Sequence, residues 1–131
     1  MKVKCRANTG EGLMPLTISN IGDTAETQYP LKIGEIYTVY GQGVLRNVLK
    51  YLIVGTYENL PSWYPAELFE VEDSQIYFEW YYKYDKEFVA SVLWGYHELV
   101  NDKNHYVDLI ERKDQAIRIF LKRKKEIDEF N

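Results

Sequence analysis

Cysteine and histidine are scarce in this sequence, and long apolar runs are missing from it. The 131 residues include one cysteine, Cys5, and two histidines. A single cysteine excludes an intramolecular disulfide and any metal site built from several thiolates. No run of 18 apolar residues occurs, and the first residues carry no apolar run of signal-peptide length. We therefore expect a protein of the cytoplasm that neither enters a membrane nor relies on disulfides.

Signatures of catalysis are missing as well. The TGEG stretch at residues 9–12 lacks the Gly-Lys-Ser/Thr ending of a phosphate loop, and no serine stands in a G-x-S-x-G setting. On an alternating strand Lys4 and Arg6 face away from Cys5, which favours a buried thiol over an activated nucleophile. We interpret residues 9–12 as a turn and expect no catalytic residue.

The two histidines are the feature that keeps a small enzyme open as a third reading. His97 adjoins Glu98, and Asp102 lies three residues before His105, within reach on a helical turn. A metal site needs three or four convergent ligands, and no H-E-x-x-H spacing supplies them. We expect these imidazoles to cap, to pack or to meet solvent, and we expect no metal and no cofactor.

Apolar and aromatic residues, by contrast, are plentiful. Hydrophobic residues make up 46% of the chain and aromatic residues 15%, which suffices for a real core in a chain of this length. No internal repeat and no linker divides the sequence. We expect one α+β domain over residues 1–131, strand-rich in residues 1–85 and mainly helical in residues 95–131.

Strand patterns are clear in the first half. Residues 2–6 alternate, and residues 31–41 and 47–54 are rich in β-branched and aromatic side chains. The GQGV of residues 41–44 is predicted to be the turn of a hairpin between these two strands. Residues 7–30 are polar and punctuated by glycine and proline, which indicates either a short strand in LTISNI or a long surface loop.

An aromatic corner flanked by prolines follows at residues 61–73, PSWYPAELFEVED. Pro61 and Pro65 donate no backbone hydrogen bond, so we expect Trp63 and Tyr64 at a strand end or in a tight turn. Strand alternation resumes over LFEVED. The next extended run, IYFEWYYKY, carries rings on both faces, and we expect both faces to be covered.

Helical spacing dominates the last third of the chain. A strand is predicted to pass into a short helix, with Gly95 as the joint. Asn104 and Asp114 are both plausible N-caps, so residues 104–130 are expected to form one helix or two. Their apolar stripe comprises Ile110, Ile117, Phe120, Leu121 and Ile127. Because most helix stability comes from packing, we expect the stripe to lie against the strands.

The segments LKIGEIYTVYG, KYLIVG and WYPAELFEV resemble the small SH3-like β-barrel domains of short bacterial proteins. This resemblance spans residues 1–73 and implies an antiparallel barrel or a strongly curved sheet, with the C-terminal helix or helix pair packed against it. The segment GYHELVNDKNHYVDLIERKDQAIRIF is similar to C-terminal extensions of bacterial immunity proteins, which are cytoplasmic antidotes of contact-dependent and polymorphic toxin systems. That similarity implies a cognate toxin as partner and no catalytic residue.

The distribution of charge suggests a binding face. Formal net charge is −4, and residues 57–79 carry carboxylates without any lysine or arginine. Carboxylates beside rings suit a basic, nuclease-like partner, because charge speeds encounter and buried aromatic anchors supply affinity. The candidate partner-binding residues are Glu58, Trp63, Tyr64, Glu67, Glu70, Glu72 and Asp73. The plainer alternative is that Trp63, Tyr64 and Phe69 are core and corner residues beside a solvated acidic face.

A basic cluster near the C-terminus supplies the alternative function. Arg118 and the KRKK of residues 122–125 would suit an SH3-like adaptor or a nucleic-acid-binding module. An isoelectric point near 5.2 and the acids at Glu126, Asp128 and Glu129 argue against nucleic acid. The sequence therefore predicts a non-enzymatic protein-binding domain, an immunity protein that occludes the active site of its toxin.

Overall fold

The computed structural model describes residues 1–130, which form eight strands and four α-helices. The strands are β1 (Lys2–Cys5), β2 (Ile36–Thr38), β3 (Gly41–Leu45), β4 (Val48–Val54), β5 (Pro61–Pro65), β6 (Phe69–Asp73), β7 (Tyr81–Tyr84) and β8 (Ala90–Gly95). The helices are α1 (Pro15–Ile21), α2 (His97–Asn101), α3 (Lys103–Ile110) and α4 (Asp114–Phe130).

The strands make two antiparallel sheets. Strand order is β5-β4-β3-β8-β7 in the five-stranded sheet and β2-β1-β6 in the three-stranded sheet. Within residues 1–130 neither sheet closes on itself, so the predicted SH3-like barrel is wrong, whereas the α+β class and the C-terminal helices are confirmed. The large sheet stays open because β5, bounded by Pro61 and Pro65, lies at one edge and β7 lies at the other.

Strand β4 separates two hydrophobic cores. Tyr51 and Ile53 are buried in the core shared with the three-stranded sheet, and Leu52 is buried in the core shared with the helices. Successive side chains of a strand point to opposite faces, so a nearly continuous apolar run suits a strand covered on both sides. The chain therefore stacks the small sheet, the large sheet and the helices α2 to α4 as three layers, while α1 packs on the core of the small sheet.

Helix α4 contributes Ala116, Phe120 and Ile127 to the helix-side core, so the expected packing of the C-terminal part on the strands is confirmed. The predicted stripe is only partly right, because Ile110 is 50% exposed and Leu121 is 45% exposed. The buried face instead passes through Ala116, whose small side chain permits close approach to its neighbours.

Two helices rather than one occupy residues 103–130. Asp102, not the predicted Asn104, caps α3, since its carboxylate accepts hydrogen bonds from the amides of Asn104 at 3.0 Å and His105 at 3.3 Å. Arg112 has a positive φ of 62° and lies in the break before α4. The joint at Gly95 is where expected, because β8 ends there and α2 begins two residues later.

Residues 41–45 form a strand rather than the predicted turn. This strand, β3, pairs with both β4 and β8, and the hairpin turn lies at Arg46 and Asn47, with φ of 50° and 63°. A Cβ at Gly41 would lie 2.4 Å from a methyl group of Leu99. Glycine here therefore serves the close approach of α2 to the sheet, and not a turn.

The LTISNI stretch is helical, where a strand or a loop was expected. Pro15 lies in the first turn of α1, where its fixed φ suits a helix and its missing N–H costs nothing. Gly22 ends the helix in the left-handed conformation at a φ of 77°. Proline at the start and glycine past the end are therefore the signals that specify this helix.

Two further corrections concern the edge strands. Trp63 and Tyr64 lie inside β5, which pairs with β4 along its whole length, rather than at a strand end. The prolines are compatible with a strand because β5 is an edge. At the opposite edge Tyr82 is 59% exposed and Tyr84 is 62% exposed, so the aromatic run of residues 76–84 is not covered on both faces as predicted.

Candidate functional site

Glu58 is held by contacts within the chain. Its carboxylate accepts hydrogen bonds from the Gly55 amide at 2.8 Å, the Ser62 hydroxyl at 3.2 Å and the Tyr64 hydroxyl at 2.6 Å. Burial, and next the Glu58 carboxylate, raise the pKa of Tyr64 above its ordinary value. The side chain predicted to meet a partner thus organises the turn between β4 and β5.

Glu67 also makes internal contacts, although the residue is exposed. One carboxylate oxygen accepts a hydrogen bond from the Met14 amide at 2.9 Å, and the other accepts one from the Thr17 hydroxyl. These groups lie at the N-terminal end of α1, where unpaired amides favour a negative charge. Glu67 therefore fastens α1 to the turn before β6.

Trp63 and Tyr64 do not share a surface. As neighbours on β5 they point to opposite faces of the sheet. Tyr64 is 4% exposed in the core beneath the small sheet, while Trp63 packs on the helix side with its ring 5.8 Å from that of Tyr106. Phe69 packs against Tyr37 and so lies beside the same core as Tyr64.

The remaining predicted acids lie together on β6, an edge strand of the small sheet. Glu70 forms an ion pair of 3.3 Å with Arg6 at the surface. Asp73 accepts hydrogen bonds from the Gln75 amide and the Tyr77 hydroxyl, both at 3.0 Å, and these bonds lower the pKa of its carboxyl. Glu72 is exposed between them. This strand therefore presents three carboxylates of the predicted site to solvent.

Basic residues of β1 lie next to these acids. Lys4 is the register partner of Glu70, and Lys2 is the register partner of Asp73. Opposite charges on neighbouring strands attract each other weakly at an exposed surface. The acidic strand is therefore partly balanced by the N-terminal strand and not by the lysines of α4.

Sequence reasoning missed the exposed rings that continue this surface. Tyr77 follows β6 and is exposed, as are Tyr82 and Tyr84 on β7. The ring of Tyr82 lies 5.4 Å from that of Trp94. Lys83 in the middle of the aromatic run was an available signal, because a lysine within a strand is typical of an unpaired edge.

We name residues 69–84 the edge segment. It contains an edge strand of each sheet, β6 and β7, and the connection between them. Phe78 packs against the helix-side core and Trp80 against the other core, while Glu79 between them is exposed. The inward rings fix the segment, and its carboxylates and outer tyrosines stay at the surface.

Two of the five cations in the basic cluster of α4 are paired with acids. Arg123 contacts both oxygens of Glu98 at 2.8 Å and also Glu126 at 3.0 Å. Lys124 forms an ion pair of 2.8 Å with Asp128. These pairs explain two of the clustered charges without a nucleic acid, because each cation stabilises carboxylates of its own chain.

The two histidines differ in burial and in their contacts. His105 is buried, and its Nε2 is 2.7 Å from the hydroxyl of Tyr96. Burial lowers the pKa of His105. His97 packs edge-on against Tyr81, and Glu98 is bound to Arg123. Among residues 1–130 no group of three or more His, Cys, Asp or Glu side chains is placed to hold a metal ion.

Comparison of the chain with protein-family models, with curated proteins and with solved structures gives no match. In the described part of the chain, each helix is too short or too polar to cross a bilayer. The function is therefore argued from the arrangement of side chains alone.

Proposed function

We propose that this chain is a non-enzymatic protein-binding domain of the cytoplasm, an immunity protein that neutralises a cognate bacterial toxin by covering its active site. The observation that carries the proposal is the edge segment, in which exposed carboxylates and exposed tyrosines lie on an edge strand of each sheet and on the residues that connect the two strands. The proposal narrows the predicted binding face to this segment, because Glu58, Glu67 and Tyr64 are engaged inside the chain.

Exposed sheet edges are natural sites of protein association. An edge strand presents unpaired N–H and C=O groups, to which a strand of another protein can add. The two edges of the large sheet differ in how open they are to strand pairing. Strand β5 begins and ends with a proline, and its Pro61 carbonyl accepts a hydrogen bond from Arg112. Strand β7 contains no proline, which makes it the better edge for pairing.

The side chains of the edge segment fit a basic partner. Glu70, Glu72, Asp73 and Glu79 lie in a segment whose one cation is Lys83. Such a charge imbalance speeds the encounter with a positively charged cleft, and it weakens as salt screens it. Tyr82 and Tyr84 supply rigid rings of the kind that carry binding energy at the centre of interfaces.

In this mechanism the chain competes with the substrate of the toxin. The active site of a nuclease-like toxin holds cationic groups that bind the phosphates of its substrate, and the carboxylates of the edge segment would pair with the same groups. Neutralisation then needs only a tight contact, and no bond is made or broken.

We expect the toxin to be encoded by an open reading frame next to that of the present chain. Growth of cells that express this neighbouring frame tests the proposed function. Expression of that frame alone is expected to arrest growth, and co-expression of the present chain is expected to restore it. The Tyr82→Lys and Tyr84→Lys double variant should lose protection while remaining folded, whereas exchange of the exposed Tyr57 for lysine should not. Full protection by the double variant would remove the edge segment from the mechanism.

A further inference from the structure

A second feature lies on the other side of the molecule from the small sheet. A cavity of about 300 Å³ opens between the end of α3 and the strands β3, β4 and β5. Its apolar wall includes Leu52, Leu109 and Ile110, and its polar groups come from Lys50, Trp63 and Arg112. Pockets of this size lie at the lower end of those that hold small organic ligands.

The walls of the cavity are fixed by the fold. A Cβ on Gly43 would lie 3.1 Å from a methyl group of Leu93 and 3.4 Å from the Trp63 ring, so Leu93 and the indole both pack close to the backbone of β3. Arg112 donates hydrogen bonds to the Pro61 carbonyl and, at 3.0 Å, to the Ser62 hydroxyl. These bonds tie the end of α3 to β5 and keep the mouth of the cavity in place.

The polar groups around the cavity are donors that lack acidic partners. Within residues 1–130 neither Lys50 nor Arg112 forms an ion pair of 4.0 Å or less. The Nε1 of Trp63 is buried, and no hydrogen-bond partner for it occurs in that part of the chain. Because this nitrogen has almost no accessible surface, it is the ring of Trp63 and not its N–H that forms part of the cavity wall.

We propose that this cavity binds a small carboxylic acid with an apolar body, of about the size of phenylacetate. The apolar wall, with the Trp63 ring, takes the hydrocarbon part, and the carboxylate is received by the cationic groups of Lys50 and Arg112. A carboxylate offers two oxygens that accept several hydrogen bonds, so it suits the ammonium of Lys50, which has no ion pair, and the N–H groups of Arg112 that the bonds to Pro61 and Ser62 leave over. This site is independent of the edge segment and adds to the proposed function.

The surroundings of Lys50 agree with an anionic ligand. Burial is the main cause that lowers the pKa of its ammonium group; Asp23 raises this pKa and Arg46 lowers it. A carboxylate in the cavity would favour the charged form of Lys50 directly. A neutral ligand of the same shape would give no such compensation, so charge and not shape alone should decide binding.

Nuclear magnetic resonance with phenylacetate as the probe tests the site. The chain has three tryptophans, whose indole N–H signals are separable, and Trp63→Phe assigns the signal of interest. Phenylacetate up to about 10 mM is expected to shift the Trp63 indole signal in a saturable manner, since a dissociation constant near 1 mM needs only about 4 kcal/mol. Phenylacetamide, which lacks the charge, is expected to bind at least about tenfold more weakly.

Matched variants separate the site from general charge effects. Lys50→Met keeps the length of the side chain and should weaken phenylacetate binding at least about tenfold, whereas Lys50→Arg should retain it. Lys122→Met, an equal change on the exposed face of α4, should have no effect. Equal binding of acid and amide, or equal binding by Lys50→Met and the unchanged chain, would overturn the proposal.

A second probe, a short peptide, distinguishes between a small free acid and the C-terminus of a protein as the source of the carboxylate. A tripeptide that ends in leucine presents the same chemistry as a chain terminus. Tighter binding of the free acid than of the peptide assigns the cavity to a metabolite-sized acid, and the reverse assigns it to a C-terminus. Absence of any saturable shift with both probes would contradict the site.

Discussion

The hydroxyl of Tyr64 donates a 2.6 Å hydrogen bond to the carboxylate of Glu58, across the turn that joins β4 to β5. The same carboxylate accepts the Gly55 amide, and a Cβ at Gly55 would lie 2.4 Å from the Pro30 carbonyl oxygen. One acidic side chain thus accepts hydrogen bonds from the turn and from the buried ring of Tyr64, and the loop at Pro30 lies against the same turn. An acid in this setting contributes to folding rather than to a binding face.

Exchange of Glu58 for alanine should therefore lower stability. The Tyr64 hydroxyl would lose its acceptor, and an unsatisfied buried polar group costs about 1–3 kcal/mol. Urea unfolding measures this loss. Glu72→Ala, an exposed acid on β6, should change stability by no more than about 0.5 kcal/mol. If the further loss of Glu58 costs less in Tyr64→Phe than in the unchanged chain, the bond between the two contributes; additive losses would contradict it.

Glu67 is expected to stabilise α1 specifically. Glu67→Ala removes the acceptor for the Met14 amide and the Thr17 hydroxyl, and loss of such a cap costs about 0.5–2 kcal/mol. Hydrogen exchange of the amides of α1 should speed up more than that of the amides of β4. Uniform acceleration throughout the chain would show that the residue acts globally.

The pair Glu98 and Arg123 predicts an acid-sensitive contribution to stability. The hydrogen bonds from Arg123 are the main cause that lowers the pKa of Glu98 from its ordinary value of 4.5. The pair therefore contributes fully above pH 4.5, and its contribution is lost as the pH falls through the lower folded-state value. Unfolding curves of Glu98→Gln should show a weaker pH dependence below that point. An identical slope in both proteins would rule out this coupling.

The protonation of His105 affects stability in a different pH range. Burial lowers its folded-state pKa from 6.5, so the unfolded chain binds the proton more readily. Stability is then complete above pH 6.5 and declines as the pH falls towards the folded-state value. The free energy of unfolding, followed from about pH 7 to about pH 5, should decline less in His105→Gln than in the unchanged chain. A parallel decline in the two would mean that other groups titrate.

Much of the fold is predictable from local pattern, and the failures have physical reasons. Strands β1 and β4 follow from alternation and from an apolar run, and α4 follows from helical spacing. The prediction of a turn at β3 is wrong because its glycines, which allow the close approach of Leu99 and Leu93, are turn signals in a short window. Such a role depends on residues far along the chain and cannot be read locally.

The candidate site shows the same limit. Charge alone predicts the acids of β6 as part of a site, but charge does not reveal which carboxylates already have partners within the chain. Glu58 and Glu67 find partners in a turn and in a helix, and neither contact follows from sequence spacing. The exposed rings of β7 were assigned to the interior because the position of the strand at the sheet edge emerges only from topology.

Calorimetric titration of the chain with the purified, inactivated product of the neighbouring open reading frame tests the central claim most directly. Glu72→Lys with Glu79→Lys reverses two charges of the edge segment, and Glu26→Lys with Glu129→Lys makes the same change outside it. We predict that the first pair weakens binding at least about tenfold, or about 1.4 kcal/mol, and that the second leaves it within about twofold. Equal effects of the two pairs, or none from the first, would contradict the assignment of the edge segment as the partner-binding surface.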